Sequence, residues 1–280
     1  MSKKPSNASK AVAVVEEKSP LAVPDFMKND AGMGRETIDR SMLAIPRITL
    51  MHATSMPVQD GLVSPGEWWH NILQQTLGSE IVVTPIFIEK GYTLWNPKAG
   101  ENEVLARGVM KNGVWVWDPS NATFEVEIDR RKVKWETKST IAESRLAKWG
   151  NKNDPPPPAK ESINMLVAVH GHEGVFGVVT FSKTSFPIGR KLLQAIHAKA
   201  GVPLFGLKYE FSSASTTSKS GNRHLIPKWI PAGLVDDPSF YDACKNMYEQ
   251  VRETGLGMAA HEEANDGAGD ETVDDSSVNF

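Results

Sequence analysis

The sequence predicts a mainly β protein with added helices, a barrel or sandwich held between two disordered ends. Three observations predict it: short β-patterned stretches joined by tight turns between Glu80 and Lys138, amphipathic patterns bracketed by helix caps, and polar ends without periodicity. At 280 residues and 40% hydrophobic, the chain can bury a sizeable core.

Residues 1–40 are rich in Lys, Ser, Pro and Gly and read as disordered. Order begins at "MLAIPRITLMHA", which has the β-branched content of a strand, with Pro46 at an edge or strand start. In "SPGEWWHNILQQTLG", Ser64 and Glu67 match a capping box and Trp69, Ile72, Leu73 and Leu77 fall on one helical face, so a short helix closed by Gly78 is expected. Strands follow to Lys138, with turn signals at Lys90-Gly91, Asn96-Pro97, Asn112-Gly113 and Asp118-Pro119. Phe124, Val126 and Ile128 have the opposite parity to Val133 and Trp135, which a turn or bulge near 129–132 reconciles.

Thr140 and Glu143 form a second capping box, opening a helix with Ala142, Leu146 and Trp149 that ends at Gly150. "NKNDPPPP" predicts a stiff, extended linker. Two strands then surround a His-Gly-His-Glu-Gly turn, and "FPIGRKLLQAIHAKAG" is an amphipathic helix. Strands near Leu204–Ser213 and Arg223–Ile230 flank a Ser/Thr/Lys loop. The last helix starts at Asp237 and Pro238, turns Phe240, Cys244, Met247, Tyr248 and Val251 inward, and stops at Gly255. The expected organisation is a disordered segment 1–40, a domain 41–255, and a disordered acidic tail 256–280.

Composition narrows the function. The single cysteine, Cys244, excludes an internal disulfide framework and a multi-cysteine zinc site. No apolar run is long enough to cross a membrane and the N-terminus lacks the pattern of a secretory signal, so a cytoplasmic protein without membrane partners is expected. Residues 261–280 hold seven acids and no Lys or Arg; without them 31 bases face 27 acids, so a net charge of −3 hides a basic body and an acidic end.

Two constellations point to nucleic acid. Single strands are held by cationic grooves and aromatic faces on which bases stack. Tyr92, Trp95, Trp115, Trp117 and Trp135 lie among Lys98, Arg107, Lys111, Arg130, Arg131, Lys132, Lys134 and Lys138. Trp115 and Trp117 share one strand face and Val114 and Val116 the other; either pair can be the buried one, and the basic run "RRKVKWETK" also fits a solvated edge strand. The second constellation is the ending "DETVDDSSVNF", where Asp270, Glu271, Asp274 and Asp275 precede a terminal Phe280: one apolar anchor on a negative tether, suited to a basic-rimmed pocket on a partner.

This ending resembles that of bacterial and bacteriophage single-stranded DNA-binding proteins. The stretches "IPRITLMHATS", "GEWWHN" and "FSKTSFPIGRKLLQAI" resemble phage proteins of the same class, over roughly residues 40–235. The resemblance implies an elaborated oligonucleotide-binding barrel without catalytic activity or cofactor. It implies a role in phage DNA replication or recombination in the host cytoplasm, with replication or recombination proteins recruited through the tail. Self-association is left open.

Other chemistry has weaker support. His170, His172 and Glu173 lack a recognisable set of further ligands. Glu136 and Lys138 with Asp118 or Asp129 imitate a Mg²⁺-dependent nuclease site, a pattern short enough to arise by chance. Cys244 sits on an apolar helix face and no phosphate-cradling Gly-Lys loop occurs. The alternatives are therefore an interaction module or virion component without DNA binding, and a Mg²⁺-dependent nuclease.

Overall fold

A computed structural model describes residues 46–97, 104–111, 113–128, 131–148, 157–172, 174–217, 221 and 223–256, all within one compact unit, Ala44–Phe280. The expected disordered segment 1–40, most of the proline-rich linker, Trp149, Gly150 and the acidic tail beyond Leu256 lie outside the described residues. As expected, the fold is mainly β with added helices, but among the described residues its strands form open antiparallel sheets and no closed barrel.

In chain order the elements are β1 (Ile48–Leu50), α1 (Met56–Gln59), β2 (Trp68–His70), β3 (Gln75–Gly78), β4 (Ile81–Trp95), β5 (Val104–Lys111), β6 (Val114–Asp118), β7 (Thr123–Ile128), β8 (Arg131–Glu136), α2 (Ile141–Ser144), β9 (Ala159–Val169), β10 (Phe176–Ser182), α3 (Phe186–His197), β11 (Leu207–Thr217), β12 (Arg223–Leu234) and α4 (Pro238–Thr254). The main sheet runs β10-β9-β4-β11-β12, with β5 paired to β4 and β6 to β5. β4 organises it. β9 pairs along β4 from Val83 to Leu94, whereas its other edge takes β11 at Ile81–Val83 and β5 at Tyr92–Trp95. Smaller sheets are β1-β2-β3 and the hairpin β7-β8.

Side-chain alternation sends the two faces of the sheet into different cores. Ile163, Met165, Val167 and Val169 of β9 join Ile81, Val83, Tyr209 and Phe211 in a core closed by Trp68 and by Leu192 of α3. Leu166 points the other way, to Ile86, Val178, Cys244 and Val251, where α4 covers the sheet. A third core lies at the far end of β4, where Leu94, Ala106, Trp117, Val126, Trp135, Ile141 and Leu146 come together. The expected caps of α4 form: Asp237 accepts from the Ser239 N–H at 2.8 Å, and Gly255 stops the helix at φ +67.

Three local expectations are corrected. The segment read as a helix around "GEWWHN" is β2, a turn and β3. Trp68, Trp69 and His70 are all buried, Trp68 in the main core and Trp69 against Met51 and Val63. Successive residues buried towards opposite sides suit a strand, and Gly66 (φ +93) turns the chain before any helix starts. The box at Thr140 and Glu143 does form, but Arg145 adopts φ +58 and ends α2 after one turn. Lys90-Gly91 is no turn: β4 continues through it, and a Cβ on Gly91 would stand 2.4 Å from Ser162 Oγ and 2.8 Å from Asn164 Nδ2.

Candidate nucleic-acid interface

At the far end of β4, Tyr92 packs with Trp115 of β6 on the third core, and Trp95, three residues on, lies outside that cluster. Tyr92 and Trp95 are half-buried there, and Tyr92 meets Trp115 of β6 edge-on with centroids 5.3 Å apart. Such pairs hold aromatic rings in fixed orientation. Each β4 ring also carries a cation: Lys90 Nζ is 4.8 Å from the centre of Tyr92 and Lys183 Nζ 5.9 Å from that of Trp95. Lys90 also pairs with Glu161 at 2.8 Å. Burial disfavours its charge, but the bonds to Glu161 and Tyr92 outweigh this and its pKa lies above the ordinary lysine value.

The remaining expected residues divide by burial. Val114 is half exposed while Trp117, its strand-mate at odd parity, is 1% exposed and donates its indole N–H to Ser144 Oγ at 2.8 Å. Trp135 is buried opposite Phe124. The tryptophans therefore take the core side of their strands, and neither Trp117 nor Trp135 offers an open face for stacking. Arg107 is also buried, opposite Thr93 on β4 and Asp118 on β6. Lys111, Arg131, Lys132, Lys134 and Lys138 are exposed. Lys98 and Arg130, and the tail residues Asp270, Glu271, Asp274, Asp275 and Phe280, lie outside the described residues.

The basic run on β8 is less cationic in place than in sequence. In the β7-β8 register Lys132 faces Glu127 and Lys134 faces Glu125, with Lys134 Nζ 3.4 Å from the Glu125 carboxylate. Opposite charges across strands stabilise a hairpin and cancel its field. From Glu80 to Lys138 the chain carries nine acids against nine Lys or Arg.

Lys90 and Lys183 were not singled out by the sequence. Lys90-Gly91 has the local pattern of a turn, which masks that in a continuous strand Lys90 shares a face with Tyr92 two residues on. Lys183 sits at φ +48, a left-handed conformation that costs a non-glycine residue of order 1–3 kcal/mol.

The other fragments stay apart. Glu136 and Lys138 pair with each other, which lowers the Glu136 pKa, and Asp129 lies outside the described residues. His170 stacks on Phe240 at 4.1 Å with its Nε2 2.8 Å from Thr84 Oγ1. Cys244 is buried on the inner face of α4, its thiol pKa pushed up to about 11 by burial. Among the described residues no group of three or more His, Cys, Asp or Glu is placed to hold a metal ion.

Neither the comparison with curated proteins nor that with solved structures gave a match. The model of one family, described as Pam3 phage gp34-like protein, matches residues 15–257, and the chain belongs to that family.

Proposed function

We propose that this chain is a non-catalytic single-stranded DNA-binding protein that coats exposed strands during phage replication or recombination and recruits partner proteins through its acidic tail. The observation that carries the reading is the end of β4, where Tyr92 and Trp95 are both half-open and each has a lysine ammonium over its ring. Bases stack on such rings without sequence preference, and cations close to the rings add attraction for the phosphates between the bases. The phage name of the family agrees with this setting. In this reading the fold serves as an elaborated oligonucleotide-binding scaffold, with the sheet as platform.

A gel shift with labelled poly(dT) against a matched duplex tests the proposal. Preference for the single strand, weakening as salt rises, is expected. Equal affinity for both, or none for either, overturns it. Quenching of the eight tryptophans by poly(dT) separates it from a pure interaction module. Removing Asp270–Phe280 should leave DNA affinity equal or higher, since the tail competes electrostatically with phosphates, while partner recruitment is lost. Shortening of the labelled strand when Mg²⁺ is supplied would favour the nuclease instead.

A further inference from the structure

The strongest unassigned feature is electrostatic. From Gly174 to Val235 the chain carries eight Lys or Arg and one acid, Glu210. These residues form β10, α3, β11 and β12, whereas the β region from Glu80 to Lys138 is balanced. The basic character of the body therefore resides largely in elements that the aromatic-rich segment does not include.

On α3 the charges fall on one side. Gly189 and Leu192 are buried against the sheet, while Arg190, Lys191, Gln194 and His197 are exposed at the spacing of a single helical stripe. Lys199 continues it just beyond the helix. A solvated helix face ordinarily alternates acids and bases at four-residue spacing, because such pairs stabilise the helix. α3 has no acid at all, and among the described residues Arg190, Lys191 and Lys199 make no ion pair. The stripe also has a direction. Lys183, in the turn that leads from β10 into α3, reaches Trp95 at the end of β4, so the cationic ridge meets one half-open aromatic at this residue.

We infer that the solvent face of α3, entered through Lys183, is the track for the sugar–phosphate backbone of a single strand whose bases stack at the end of β4. The inference rests on the single-stranded DNA reading and adds to it a location: phosphates follow α3, and the basic hairpin β7-β8, whose lysines already face glutamates, is a bystander. The geometry fits a polyanion that leaves the aromatic end and runs along a helix of 12 residues, about 18 Å at 1.5 Å per residue.

The test compares two charge reversals of equal size in the full chain, Arg190→Glu/Lys191→Glu and Lys132→Glu/Lys134→Glu, by fluorescence anisotropy with a labelled dT oligomer over a salt series. Both change net charge by the same amount, so a difference between them reports position. The α3 variant is expected to lose roughly tenfold or more in affinity at low salt and to flatten the log–log salt slope by about 1.4, two phosphate contacts at about 0.7 each. The hairpin variant should keep the wild-type slope, and Arg190→Lys/Lys191→Arg should restore binding. Circular dichroism and melting of each variant separate loss of contact from loss of fold. An unchanged slope in the α3 variant, or a larger loss in the hairpin variant, overturns the track while leaving single-strand binding intact; no binding of the oligomer by the wild type overturns both.

Discussion

Trp117 donates its indole N–H to Ser144 Oγ at 2.8 Å, and this bond ties the middle of β6 to the single turn of α2 inside the third core. Ser144 in turn donates to the Ile141 carbonyl at 2.9 Å, so the buried polar atoms on both sides are satisfied. A residue so placed acts on stability. Trp117→Ala should cost about 3–5 kcal/mol through the cavity it leaves. Trp117→Phe should cost less, with the indole bond lost. Urea unfolding checks both, and for Trp117→Phe the affinity for poly(dT) under native conditions should match wild type. A large selective loss of affinity in that variant would mean that the ring meets DNA.

Tyr92 and Trp95 should behave in the opposite way. Base stacking on an aromatic side chain is worth about 1–3 kcal/mol by alanine substitution, so Tyr92→Ala or Trp95→Ala should weaken poly(dT) binding by roughly 5- to 150-fold. Trp95→Phe should recover much of the loss, because a flat ring remains. Equal affinities for wild type and Trp95→Ala would remove that residue from the interface.

The contrast between these residues shows how far the sequence could be read. α3, α4 and the β9-β10 hairpin were legible because their signals are local: a cap at Asp237, a stop at Gly255, and an apolar stripe at helical spacing. The segment around Trp68 was not, because Ile72 and Leu73, which complete its helical pattern, turn out 46% and 49% exposed in the turn between β2 and β3. What fixes that segment is pairing with β1, which no local period reports. The aromatic site was half legible. Strand parity placed Trp115 and Trp117 on one face, but which face is buried depended on Ile141 and Leu146, contributed from beyond the next hairpin. The uneven charge of α3 was open to inspection from the start, yet the denser run at Arg130–Lys134 draws the eye, and only the β7-β8 register shows its lysines facing acids.

Gly189 controls how closely α3 sits on the sheet. A Cβ there would lie 2.7 Å from Phe181 Cβ and 2.8 Å from its Cγ, and Phe181 is fully buried with no room to yield. Overpacking of this kind costs about 1–3 kcal/mol, against roughly 1 kcal/mol that Ala gains over Gly in a helix. Gly189→Ala should therefore lower the thermal midpoint, and Gly189→Val should lower it further. A raised midpoint for Gly189→Ala would show that the helix can lift off without loss.

The contact of His170 with α4 predicts a pH-dependent stability. Its ring stacks on Phe240 in the first turn of the helix, and its Nε2 lies 2.8 Å from the hydroxyl of buried Thr84. Burial, and then the nearby Lys208 ammonium, push its pKa below the usual 6.5, while Asp236 and Asp237 pull the other way without prevailing. A depressed folded pKa means that the native state favours the neutral ring. The stability it contributes is complete above about pH 6.5, where the unfolded histidine is also neutral, and is lost as pH falls through the lower folded value. The urea midpoint should therefore begin to fall just below pH 6.5, before most carboxylates titrate, and His170→Asn should flatten that part of the profile. The sign is the decisive feature: a midpoint that rises on acidification from pH 6.5 in the wild type, and not in His170→Asn, would show that the charged ring is the one held by Asp236 and Asp237.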